Sequence, residues 1–157
     1  MFLWGGLQIL PRFFGYPNEL WRFDPQQRTW EMVSVTGDVP VGREAPTYFW
    51  DDANSRLYIF HGHNQSSPDA LLGDAHVLRL GERRWEPLEI TGPSPAPRWR
   101  ASAAYDPRTG TGWMFGGWVD FGGRVTFNDT WRFDPNSQSW LKVCILPADQ
   151  QVNVASP

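Results

Sequence analysis

Apolar and polar positions alternate along this chain with a period of two, in short runs separated by glycine, proline and aspartate. The stretch Asp129-Thr130-Trp131-Arg132-Phe133 is a clear case, with aromatic side chains on one face and polar ones on the other. This is the signature of a half-buried strand. The pattern predicts strands at 99–105, 112–115, 129–133 and 139–145, and a second set at 45–50, 57–60, 74–80 and 85–90. Their boundaries carry turn chemistry. Asp106-Pro107-Arg108-Thr109-Gly110 and Asp134-Pro135-Asn136-Ser137 combine a fixed φ at proline with residues that tolerate tight turns. No segment shows helical periodicity over ten or more residues.

The two sets are copies, and a third precedes them. Trp30, Trp85 and Trp140 lie 55 residues apart, as do Trp21, His76 and Trp131. Arg43 matches Arg98, Gly62 matches Gly117, and Asn18-Glu19-Leu20-Trp21-Arg22-Phe23-Asp24-Pro25 nearly repeats as Asn128-Asp129-Thr130-Trp131-Arg132-Phe133-Asp134-Pro135. A sustained period of this size marks an array of one supersecondary unit. The units fall at about 2–37, 38–92 and 93–146, followed by a tail at 147–157. Four short strands per unit, set around an axis, make a β-propeller. The expected fold class is all-β, with three four-stranded antiparallel blades.

Composition narrows the function classes. The 157 residues include ten Trp and ten Phe, which suits packed sheet faces. A formal net charge of −3, with both signs interspersed, offers no bulk attraction to nucleic acid or to an anionic membrane. Cys144 is the single cysteine, so no internal disulfide is possible. The sequence shows no signal peptide and no apolar run of spanning length, and the expectation drawn from that absence is a soluble cytoplasmic protein.

The chain resembles the kelch repeats. The resembling elements are the doublet Gly116-Gly117 after Phe115, the Trp-Arg-Phe-Asp-Pro strings, and the tryptophan six residues beyond each Asp-Pro aspartate (Asp24 to Trp30, Asp134 to Trp140). They span about residues 2–146. The second unit departs from the pattern, with His61-Gly62 for the doublet and Arg79-Leu80 for Asp-Pro. The resemblance implies propeller blades whose first strand lines a central channel. It assigns structural roles to Gly5, Gly6, Trp21, Trp30, Gly62, Trp85, Gly116, Gly117, Trp131 and Trp140. The glycines permit close approach of neighbouring blades, and the aromatics fill the wedge between them.

The first unit begins inside its second strand and lacks an inner one, leaving about eleven strands. Propellers close with four to eight blades, so the expected array is open or partial. Three outcomes stay open: a piece of a longer propeller, a homodimer completing a six-bladed ring, or an atypical open array. The segment 150–155 is one candidate for the missing strand.

Each candidate for chemistry has a plainer reading. His61 and His63 share a strand face, a start for a Zn or Cu site, but no third ligand is evident. His76 stands in a tryptophan register, which favours packing. Cys144 matches Ser34 and Glu89 and has no partner base, and Asp51-Asp52 reads as a turn. Asn64-Gln65-Ser66 and Asn128-Asp129-Thr130 are sequons by chance. No catalytic residue, metal or cofactor is expected.

The arginines point to a partner instead. In kelch propellers the places of Arg43 and Arg98 lie at the channel mouth, on a face that binds acidic peptides in substrate-recruiting members. The loops 7–17, 63–72 and 118–127 open there, adding Arg12, Arg100, Trp118 and Arg124. Guanidinium groups bind carboxylates bidentately and stack on aromatics. The plainer reading is that Arg43 and Arg98 bond to backbone carbonyls of neighbouring blades. The expected function is a non-catalytic protein-interaction module that takes an acidic peptide or protein. The alternative is a metal-dependent oxidase or lyase on the same fold. Against it, the cysteine-linked tyrosine of the copper type and the Glu-x3-Asp-x3-His run of the iron type have no counterpart here.

Overall fold

The computed structural model describes residues 1–9, 11, 14–67, 70–119 and 125–144, which are all strand, turn and loop. Strands β1 (Phe2–Trp4), β4 (Leu20–Asp24) and β5 (Thr29–Val33) form the first sheet, in the order β1-β4-β5. The second sheet holds β7 (Thr47–Asp51), β8 (Arg56–Phe60), β9 (Ala75–Arg79) and β10 (Arg84–Pro87), paired consecutively and antiparallel. The third repeats this with β11 (Ser102–Asp106), β12 (Thr111–Phe115), β13 (Thr130–Asp134) and β14 (Ser139–Cys144). Among the described residues the first sheet therefore has no inner strand, as the sequence predicts, and none of the sheets closes on itself. The tail at 147–157 lies outside the described residues.

Two differences from the sequence reading have local causes. The inner strands start at Thr47 and Ser102, not at 45 and 99, because Ala45 (φ 46°) and Arg100 (φ 55°) adopt left-handed backbone. The Arg100 N–H donates to the Ala45 carbonyl at 3.1 Å, tying the two kinks together across the blade boundary. The linkers between blades also do more than connect. Strand β6 (Thr36–Gly37) runs parallel to β10, and Thr91 pairs with Ser139 in the same way one period later. The first and second units thus each send their exit segment along the outer edge of the next blade, blunting that edge. The first loop carries a hairpin, β2 (Gln8–Ile9) with β3 (Phe14–Gly15).

The aromatic repeat builds the inter-blade core. Phe49, Tyr58, Phe60 and Val77 of the second blade meet Met114, Trp131, Phe133 and Trp140 of the third. Phe60 and Phe133 meet edge to face at 4.7 Å, and Trp140 lies 4.9 Å from Phe60. Between the first and second blades, Trp85 is fully buried beside Leu20, Ile59 and Leu78, with Trp4 against its ring at 5.4 Å. Trp30, in the same register, remains 43% exposed, with no blade on its side among the described residues. Gly112 permits the closest approach in this core. A β-carbon there would sit 2.6 Å from the Phe49 ring.

Candidate functional site

Arg43 and Arg98 open the inner strands, and their guanidinium groups turn inward. Both side chains are buried. The Arg98 Nη1 donates to the Gly116 carbonyl at 2.8 Å and to Asp129 Oδ1 at 2.6 Å, Nη2 reaches Asp129 Oδ2 at 3.2 Å, and Nε donates to the Ala96 carbonyl at 3.0 Å. The Phe127 ring covers the guanidinium carbon at 3.7 Å. Arg43 repeats the set, with bonds to the carbonyls of His61 and Val41 and a bidentate pair with Asp74. Burial pushes the Asp129 carboxyl up, but hydrogen bonds from Arg98 and Trp131 outweigh it and hold the group below the usual carboxylate range.

This corrects the expectation that Arg43 and Arg98 present free charge at a channel mouth. Their donors are consumed by carboxylate and carbonyl groups within their own blades, not by neighbouring blades as the plainer reading had it. The neighbour is served by the backbone. The Arg98 carbonyl accepts from the Gly62 N–H at 2.9 Å, and the Arg43 carbonyl from the Gly6 N–H at 2.8 Å. Glycine at Gly62 is required twice over, since its φ is 108° and a β-carbon would meet the Arg43 side chain at 2.9 Å.

Above these clamps, the loops bring a different group together. Trp99 pairs with Trp118 across an isolated bridge, ring to ring at 5.8 Å and 90°. His63 lies 5.0 Å from Trp99, and Tyr16 lies 6.1 Å from His63. The exposed Arg100 guanidinium sits over this platform, 4.6 Å from the Trp99 ring and 5.0 Å from the Trp118 ring. No carboxylate among the described residues pairs with Arg100. In the second blade the matching positions hold Glu44 and His63, joined at 3.1 Å through His63 Nδ1. Arg100 and Trp118 therefore come together as a surface site, whereas Arg12 and Arg124 lie outside the described residues. The sequence reading missed Trp99, Tyr16 and Glu44 here, and Asp74 and Asp129 below. The spacing of 31 residues from Arg43 to Asp74 and from Arg98 to Asp129 was the available signal.

The other candidates have structural settings. His61 takes the Gly116 register with φ 58° and is buried. Burial, with Arg98 and Arg43 nearby, pushes its imidazole down to about 4, so it is neutral at pH 7. His76 is buried between Asp74 (3.4 Å) and Asp38 (3.9 Å). Asp51 binds Asn54 in the turn between β7 and β8. The Asn64 side chain is buried and donates to the Gly42 carbonyl at 2.7 Å, which leaves no room for a glycan. Among the described residues no three His, Cys, Asp or Glu side chains converge as a metal site would require.

Comparison with known proteins agrees with the repeat. The chain is 32% identical over 129 residues to the Acyl-CoA-binding domain-containing protein 4 of Arabidopsis thaliana, covering 82% of this chain and 17% of that protein. It is 29% identical over 149 residues to the Dynein alpha chain, flagellar outer arm, of Chlamydomonas reinhardtii, covering 89% of this chain and 3% of that one. It thus spans less than a fifth of either relative. The solved structure of YjhT superposes with a TM-score of 0.70 at 13% identity, over 94% of this chain and 49% of that one, a likeness of fold. The family model of the KLHDC2/KLHL20/DRC7 Kelch-repeats domain matches residues 1–151, and the chain belongs to that kelch-repeat family.

Proposed function

We propose that this chain is a non-catalytic protein-interaction module that binds an acidic peptide segment on its loop face, at Arg100 and the aromatic platform of Trp99 and Trp118. One observation carries the reading. Among the described arginines of the expected set, Arg100 is the exposed one, held over two indole rings with no carboxylate partner among the described residues. A guanidinium so placed binds a carboxylate bidentately while its plane rests on an aromatic, and such Arg–Trp groupings are typical anchors of protein interfaces. The buried ion pairs beneath give the platform a rigid base, so little ordering is needed on binding.

A peptide-display selection on the immobilised chain tests the proposal. Enriched sequences should be rich in Asp and Glu, and Arg100→Glu should abolish their capture. Enrichment of sequences without acidic residues, or capture unaffected by Arg100→Glu, overturns the reading. Metal analysis of the purified chain tests the enzymatic alternative, because stoichiometric copper, iron or zinc contradicts a non-catalytic module.

A further inference from the structure

The two boundaries between consecutive blades are built alike at their outer edge, with one residue exchanged. Each exit segment docks on the turn before the next outer strand. The Thr36 N–H donates to the Arg83 carbonyl at 2.8 Å, and one period later the Thr91 N–H donates to the Gln138 carbonyl at 3.1 Å. Arg83 and Gln138 share left-handed backbone, with φ values of 50° and 48°. Their side chains cannot share a task. Gln138 Oε1 accepts from the Glu89 N–H at 3.1 Å and stitches the second blade to the third. A guanidinium has only donors to offer. At the boundary of the first and second blades Ser34 stands in the register of Glu89. Among the described residues neither its N–H nor its hydroxyl donates to a protein acceptor.

These donors border one pocket. A cavity of about 270 Å³ opens between β5 and the turn from β9 to β10, lined by Arg22, Glu31, Val33, Ser34, Leu80 and Arg83 among others. Ser34 and Arg83 are exposed, and no carboxylate among the described residues pairs with Arg83. Arg22 Nη2 holds Glu31 Oε1 at 2.6 Å, which balances the carboxylate that lines the cavity. The Arg83 charge is therefore left over. A cavity bordered by amide, hydroxyl and guanidinium donors, with its carboxylate already paired, is complementary to an oxyanion. A planar carboxylate satisfies two coplanar donors. Donors drawn from a backbone amide, a hydroxyl and a guanidinium suit the several directions of a tetrahedral oxyanion instead.

We infer that the pocket between Ser34 and Arg83 is a phosphate-binding site, which takes inorganic phosphate or the phosphoryl group of a small phosphomonoester. The Ser34 N–H and hydroxyl and the Arg83 guanidinium bind its oxygens. The exchange of glutamine for arginine within the repeat thus turns a structural stitch into a ligand site. The acidic-peptide reading rests on Arg100 and not on these residues, so either can fail without the other.

Titration of inorganic phosphate into the full chain, followed by proton–nitrogen NMR at constant ionic strength with chloride as the replaced anion, tests the site. The Ser34 amide proton should move downfield and saturate at millimolar phosphate. The Glu89 amide, already held by Gln138, should stay in place and serves as the internal control. Arg83→Gln should weaken phosphate about ten-fold or more, as expected for loss of a charged hydrogen bond. It also supplies the acceptor that Gln138 offers one period later, so its melting temperature should match or exceed that of the parent chain. Arg100→Glu should leave the phosphate response unchanged. Acetate should bind more weakly than phosphate, and phosphoserine should compete with phosphate if the site accepts a phosphomonoester and not only the free ion. A Ser34 shift that never saturates, an equal shift at Glu89, a response that survives Arg83→Gln, or acetate binding as tightly as phosphate overturns the inference.

Discussion

Arg98 and Asp129, 31 residues apart, meet in a buried ion pair that fastens the first strand of the third blade to the start of its third. The same pair joins Arg43 to Asp74 one period earlier. Each guanidinium also bonds the carbonyl that ends its blade's second strand. The pair therefore gathers three strand ends at one point, while the arginine's own carbonyl bonds the preceding blade.

Breaking one side of this pair leaves an unpaired buried charge, which costs about 3–5 kcal/mol. Arg98→Ala and Asp129→Ala should each lower stability by that order in chemical denaturation. The double variant should cost less than the sum of the two, because neither partner is then left charged and alone.

The three repeat tryptophans should differ sharply in their cost. Trp85→Ala and Trp140→Ala remove buried rings and should each lose about 3–5 kcal/mol. Trp30→Ala, at a ring 43% exposed, should lose far less. Equal losses would mean that the outer face of the first blade is covered in solution.

His61 makes stability pH-dependent. Its folded-state pKa is pushed down to about 4 from the ordinary 6.5, by burial first and the flanking arginines second. Between these values the unfolded chain binds a proton that the folded chain refuses, so stability falls as pH drops from 6.5 towards 4. The full loss is on the order of 3 kcal/mol. Asp74 and Asp129 have lowered pKa values, so the stability they add is lost only below about 3.8. His61→Gly, which restores the residue found at Gly116, should flatten the stability profile between pH 6.5 and 4. Thermal melts across that range measure it.

Gly112→Ala should destabilise the contact between the second and third blades by about 1–3 kcal/mol, since the new methyl would lie 2.6 Å from the Phe49 ring. Phe49→Ala in the same chain opens that space and should recover part of the added cost of the methyl. A double-mutant cycle of unfolding free energies gives the coupling.

The repeat made the blades legible, because alternation and turn residues are local signals that recur in register. Every strand of the second and third blades was readable within a few residues, and the first blade has no inner strand among the described residues, as expected. The misread starts at 45 and 99 come from left-handed residues, Ala45 and Arg100, whose side chains give no hint of φ. The candidate site was legible only in part. Arg100 and Trp118 were named together and the fold sets one over the other, but Arg43 and Arg98 were assigned outward when their carboxylates draw them inward.

The sequence by itself determined the unit, its period and its aromatic registers, since those depend on nearest neighbours along the strand. Tertiary structure decided which repeated residue is buried and which is free. Asp74 and Asp129 capture their arginines across 31 residues of chain, and only the folded blade brings those groups within bonding distance. It also decided that Glu19, in the same register, accepts from Trp21 Nε1 at 3.0 Å and pairs with no arginine among the described residues.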